Sequence, residues 1–218
     1  MKNLYKLSKY KDYIVCPSSI YVPYFLKEGF EVGLQNVSEY GMGAYTGEIS
    51  VTQATSIGIK YVIIGHSERR KYFNESSKVI NRKLRKAVSN NLKAILCIGE
   101  SLDDKNNNKT FEVIKNLIDL ELKDVEFEYY ENVIIAYEPL WAIGTGVVPS
   151  NEDIEKITSY IKDYIMKKYN FMPIVLYGGS TNEKNISELN ELKNIDGFLI
   201  GGASLIPEKI IKILETIK

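Results

Sequence analysis

Four polar side chains follow directly on short apolar runs: His66 after "YVIIG", Glu100 after "AILCIG", Glu138 after "VIIAY" and Ser180 after "LYGG". His66 is the only histidine in 218 residues. An imidazole works as acid, base, hydrogen-bond donor or metal ligand. The metal role finds no second histidine, and Cys16 and Cys97 offer no ligand spacing. The following "SERR" opens toward a helix, whose N–H groups disfavour a charged imidazolium if they point at the ring. A packing histidine is the plain alternative.

Glu138 precedes "PLWAIGTGVVPS", a segment with Pro139 and Pro149 at its edges and Gly144 and Gly146 inside. This reads as a lid with stiff ends. A carboxylate beside Trp141 is partly desolvated, which favours its accepting a proton; otherwise Glu138 is a surface carboxylate before a turn. Two glycine pairs, in "YGGS" (177–180) and "IGGAS" (200–204), let backbone approach a ligand closely, and their N–H groups suit an anion such as phosphate. Glycine pairs also mark ordinary turns. Taken together, a phosphate cradle, a carboxylate base under a lid and an imidazole make a proton-transfer site for a small phosphorylated carbonyl compound.

The elements that must position these groups are legible as periodicity. Strand-like runs lie at 13–16, 30–35, 61–65, 94–99, 133–138, 173–179 and 197–202, most of them apolar on both faces as in a buried parallel sheet. Between them, Val79, Ile80, Leu84, Ala87 and Val88 form one stripe of a helix over 76–90. Further helices are predicted over 111–122, from Ser150 with a capping-box pattern to Asp153, from Ser50 with Gln53 to about Gly58, and from Pro207. Seven alternations predict a parallel sheet covered by helices, as a barrel or a doubly wound sheet, in one domain over 1–218. In either fold, strand C-termini share one face, where sites form. The run "KNNNK" at 105–109 reads as a solvated loop tip.

Composition narrows the partners. Lys plus Arg and Asp plus Glu both total 28, so no global field points to nucleic acid or to an acidic membrane. Hydrophobic residues at 44% and charged residues at 26% are those of a folding chain. Two cysteines suit a reducing compartment, and neither a spanning segment nor a signal h-region is visible, so a cytoplasmic protein is expected.

The segments "YVIIGHSERRKYF", "AILCIGES", "VIIAYEPLWAIGTG", "LYGGST" and "GFLIGGASL", with "VGLQNVSEYGMGAYTGEIS" at 32–50, resemble the triosephosphate isomerase family in its own order. The resemblance implies a (β/α)8 TIM barrel that interconverts dihydroxyacetone phosphate and glyceraldehyde 3-phosphate through an enediolate, in glycolysis and gluconeogenesis. It implies Glu138 as the base, His66 as a neutral hydrogen-bond donor to the carbonyl oxygens, and Glu68 as the glutamate beside them. It assigns phosphate binding to the N–H groups of Gly144, Ser180, Gly201 and Gly202. Thr46 matches the loop residue that enters the neighbouring subunit of a homodimer. No metal or organic cofactor is implied, and the partner is a small phosphorylated triose, not nucleic acid or membrane.

The family also opens with a strand ending in Asn-x-Lys, and "MKNLYKLSKYKDYIVC" has no such motif. That segment resembles the second half of the first helix running into the second strand. Lys2, Lys6, Lys9 and Lys11 are therefore unassigned, and seven strands are expected, without the first strand and part of the first helix. The favoured expectation is an isomerase-family chain whose written start lies downstream of the true one; the alternative is a catalytically inactive truncated relative that binds a phosphate ligand or a partner chain. A different barrel enzyme acting on phosphorylated sugars fits the "HSERR" and "EPLWAIGTG" pair poorly.

Overall fold

A computed structural model describes residues 13–143 and 148–217. Among them, seven strands alternate with helices: β1 (Ile14–Val15), α1 (Val22–Lys27), β2 (Glu31–Leu34), α2 (Val51–Ser56), β3 (Tyr61–Ile64), α3 (Ser67–Phe73), α4 (Ser77–Val88) and β4 (Lys93–Ile98). There follow α5 (Leu102–Asn106), α6 (Thr110–Glu121), β5 (Val133–Tyr137), α7 (Asn151–Tyr169), β6 (Ile174–Tyr177), α8 (Ile186–Leu189), β7 (Gly197–Phe198) and α9 (Pro207–Thr216). The strands form one sheet in chain order, with parallel registers such as Ile63 opposite Ile95 and Tyr177 opposite Phe198. All seven strand-like runs contain strands, the first and the last only two residues long; beyond the last, Leu199 N–H still donates to Tyr177 O at 3.0 Å, but "IGG" leaves the ladder.

The chain divides into two compact units. In the unit built from Lys11–Cys97 and Asn116–Ile134, Val62 and Ile64 of β3 and Ala94 and Leu96 of β4 are wholly buried, with Ile80, Leu84, Ala87 and Val88 of α4. The expected stripe of α4 is thus its buried face except at Val79, which is only half-buried, and Ser76 caps the helix by accepting from Val79 N–H. Ser50 and Gln53 close a full capping box on α2, with Ser50 N–H donating to Gln53 Oε1 at 2.8 Å.

In the unit built from Ile98–Lys115 and Ile135–Lys218, the core comprises Ile135, Ala136 and Tyr137 of β5, Val175 and Tyr177 of β6, and Ile154, Ile161 and Ile165 of α7. Ser150 caps α7 by accepting from Asp153 N–H at 3.1 Å. A second full box, Ser101 with Asp104, starts the short helix α5, which periodicity did not reveal. Of the loop tip expected at 105–109, Lys105 and Asn106 belong to α5 and only Asn107 to Lys109 form the turn, with Asn108 at φ 56°. Among the described residues no helix is long and apolar enough to cross a membrane.

Candidate active site

The end of β3 is built around a glycine in the left-handed region. Gly65 has φ 72°, which turns the chain off the strand so that His66 becomes the N-cap of α3. The cap is the ring itself: Glu68 N–H donates to His66 Nδ1 at 3.3 Å. A nitrogen that accepts a main-chain N–H carries no proton of its own, so the neutral ring holds its hydrogen on Nε2. Of the N–H groups of "SERR", that of Glu68 thus points at the ring. Its carboxylate lies 3.9 Å from Nδ1 and is largely exposed. His66 and Glu68 are therefore brought together.

Behind this turn sits Arg70. Its Nε donates to Gly65 O at 2.7 Å and one terminal nitrogen to Cys97 O at 2.6 Å, while Glu121 accepts from both terminal nitrogens at 2.6 and 3.0 Å. Ser77 also donates to Glu121, at 2.8 Å. The sequence reading passed over Arg70 and Glu121, because nothing local links residues 51 positions apart.

In the other unit, Glu138 follows β5 and is 2% exposed. Its N–H donates to Ile98 O at 2.8 Å, and its backbone runs so close to Gly99 that a Cβ there would lie 1.7 Å from Glu138 O. On the other side, a Cβ on Gly178 would lie 2.8 Å from Glu138 Cγ. The first glycine pair therefore has packing duties: Gly178 makes room for Glu138, and Gly179 for the ring of Tyr177, whose hydroxyl would meet a Cβ at 2.2 Å.

Trp141 donates its indole N–H to Glu100 Oε1 at 2.8 Å, and Tyr137 donates its hydroxyl to the same oxygen at 3.2 Å. The desolvated carboxylate that meets this tryptophan is thus Glu100, 1% exposed, with Oε2 lacking a hydrogen-bond partner among the described residues. Burial pushes its carboxyl above the ordinary range, against the pull of Trp141, Tyr137 and Lys105. Burial and Glu100 together also push the Tyr137 hydroxyl far up, so it stays a donor. Lys105 Nζ sits 3.8 Å from the centre of the Trp141 ring.

The groups expected to bind phosphate are distributed differently. Gly144 lies outside the described residues. Ser180 follows the packed glycine pair and its carbonyl accepts from Asn185 Nδ2 at 2.9 Å. Gly201 and Gly202 open a 3-10 turn, Gly202–Leu205, and a Cβ on either meets nothing within 4 Å. Among the described residues nothing lies within that distance of this second pair. Thr46 is exposed in the loop between β2 and α2, where Tyr40 and Tyr45 stack with centroids 4.5 Å apart. Among the described residues, no three His, Cys, Asp or Glu side chains converge as a metal site would require. Lys2, Lys6, Lys9 and Lys11 lie outside the described residues.

The family profile described as triosephosphate isomerase matches residues 1–217. A triosephosphate isomerase of Alkaliphilus oremlandii is 45% identical over 189 residues, 85% of this chain and 76% of the relative. One from Malacoplasma penetrans is 40% identical over 220 residues, 98% of this chain and 88% of the relative. One from Natranaerobius thermophilus is 38% identical over 221 residues, covering 99% and 86%.

Proposed function

The chain belongs to the triosephosphate isomerase family, and we propose that within that family's isomerisation Glu138 moves the proton while His66 polarises the carbonyl oxygens. The observation that carries this reading is the bond from Glu68 N–H to His66 Nδ1, which leaves the single ring proton on Nε2. An uncharged donor can stabilise an enediolate oxygen without first having to lose a proton. Glu138 supplies the second requirement: a carboxylate at a strand end, out of water and held between two glycines. In the reaction it takes a proton from one carbon of the triose and returns it to the neighbouring carbon. The imidazole meanwhile donates to whichever oxygen bears the developing charge.

The remaining assignments belong to the same reading. The N–H groups of Gly144, Ser180, Gly201 and Gly202 hold the phosphate, and the open space beside Gly201 and Gly202 supports their part in it. Residues 1–218 act as one barrel domain in the cytoplasm, as a homodimer entered through the loop of Thr46, without a metal or organic cofactor. The exposed Tyr40, Met42 and Tyr45 in that loop favour its burial against a second copy.

The test is steady-state and single-turnover kinetics on Glu138→Asp and His66→Gln. Each should lower kcat by about 10²- to 10⁴-fold, the range of acid–base groups, with unchanged circular dichroism. Kinetics of either variant matching the parent removes that residue from the mechanism.

A further inference from the structure

We infer that Arg70 and Glu121 form a positioning pair that orients His66 for the reaction. The inference rests on the role given to His66 above. Gly65 O is the oxygen of the peptide that links Gly65 to His66, and Arg70 Nε holds it at 2.7 Å. Glycine has more than one accessible backbone well, and a φ of 72° is only one of them. Pinning that peptide plane selects the well and with it the direction in which the His66 Cα–Cβ bond leaves the backbone. The guanidinium is packed hard on the turn, since a Cβ at Gly65 would lie 2.9 Å from one of its terminal nitrogens.

The guanidinium is in turn held by groups that leave it little freedom. Glu121, with its side chain fully buried, grips it in a two-pronged pair at 2.6 and 3.0 Å, and Ser77 fixes that carboxylate from a third direction at 2.8 Å. Asn81 Nδ2 donates to the Glu121 carbonyl at 2.9 Å and so anchors the backbone that carries it. Cys97 O, at the end of the neighbouring strand β4, also accepts from the guanidinium at 2.6 Å. Two strand ends and the C-terminus of α6 are thereby tied to one planar group, which is what the geometry of arginine permits and that of lysine does not.

Stability alone does not account for burying such a pair. Replacing a buried ion pair by apolar residues of similar volume is often neutral or stabilising. The pair is also internally neutralised, so it places no net charge behind a ring whose work requires it to be uncharged. Errors of about 1 Å in a reacting group cost on the order of 10²-fold in rate, which is the scale on which orientation of the ring matters.

The test uses the fact that His66 is the only histidine, so ¹⁵N-histidine labelling reports one ring. In the parent, Nδ1 should resonate as a bare nitrogen and Nε2 as a protonated one. Glu121→Gln and the paired replacement Arg70→Met with Glu121→Met should each move the two signals toward tautomer averaging. Both should lower kcat by about 10- to 100-fold with KM nearly constant. In a His66→Gln background the same changes should cost less than about twofold, because a residue that acts through His66 has nothing left to act on. Ser77→Ala loosens the same carboxylate from a half-buried position and should give a smaller loss, about threefold, with the same spectral drift. It decides the matter if the other variants fail to fold.

Unchanged ring signals and kcat in the paired replacement overturn the inference, as does an equal loss with and without His66. If His66→Gln itself retains full kcat, the role of His66 is what fails, and the ring signals alone then decide whether the pair orients it.

Discussion

Glu138 and Gly178 share one space: a Cβ on Gly178 would stand 2.8 Å from Glu138 Cγ and 3.5 Å from its Oε1. The two are also joined through the backbone, since Gly178 N–H donates to Tyr137 O at 2.8 Å. Glycine at 178 is thus a condition on where the carboxylate can lie. Gly178→Ala should push the side chain off its position and lower kcat by about 10- to 100-fold with little change in thermal stability. Gly99→Ala, whose Cβ would meet backbone, should instead destabilise the fold by about 3 kcal/mol. Parent-like kcat in Gly178→Ala would show that the glycine does not set the carboxylate's place.

Glu100 makes stability depend on pH in a defined direction. Its carboxyl titrates above the ordinary 4.5 in the folded state, chiefly because burial disfavours the charge. Below about pH 4.5 both folded and unfolded forms are protonated and its contribution is complete; as pH rises through the raised folded value, that contribution is lost. Glu100→Gln should therefore flatten this part of the curve. Thermal unfolding from about pH 4 to about pH 8 checks it: the parent should lose stability relative to the variant as pH rises. A constant difference refutes the assignment.

Trp141 is the only tryptophan, and its indole donates to Glu100. Ionisation of that carboxyl changes the charge 2.8 Å from the indole nitrogen, so emission should titrate with Glu100. In Glu100→Gln the titration should vanish. A titration that survives belongs to another group.

Lys83 and Arg69 both donate to Glu75 Oε1, and Lys83 also reaches Asn36 Oδ1 at 2.8 Å. The lysine and glutamate side chains are only 5% and 6% exposed. Lys83→Met leaves a buried carboxylate without its lysine partner and a half-buried amide oxygen without that donor. The cost should be about 2–4 kcal/mol in denaturant unfolding, below the full loss of an unpaired buried charge. A change under about 0.5 kcal/mol would place the cluster among energetically idle surface charges.

Legibility from sequence followed distance along the chain. Apolar runs marked every strand, and the stripe Ile80, Leu84, Ala87 and Val88 marked the buried face of α4, because both are periodicities of a few residues. Lys83 interrupts that face, and a lysine there reads as solvated until Glu75 and Asn36 are seen beside it. Helices α1, α5 and α8, of six, five and four residues, were too short for periodicity to reveal.

The types and strand-end positions of His66, Glu138, Ser180 and the glycine pairs were written in the sequence, since strand, turn and glycine are local choices of the backbone. Which group each one meets was not. That Trp141 turns to Glu100, that Gly178 exists for Glu138, and that Arg70 finds Glu121 behind the histidine turn are long-range pairings. They depend on which strands become neighbours and how closely their backbones approach, and only packing in three dimensions determines that.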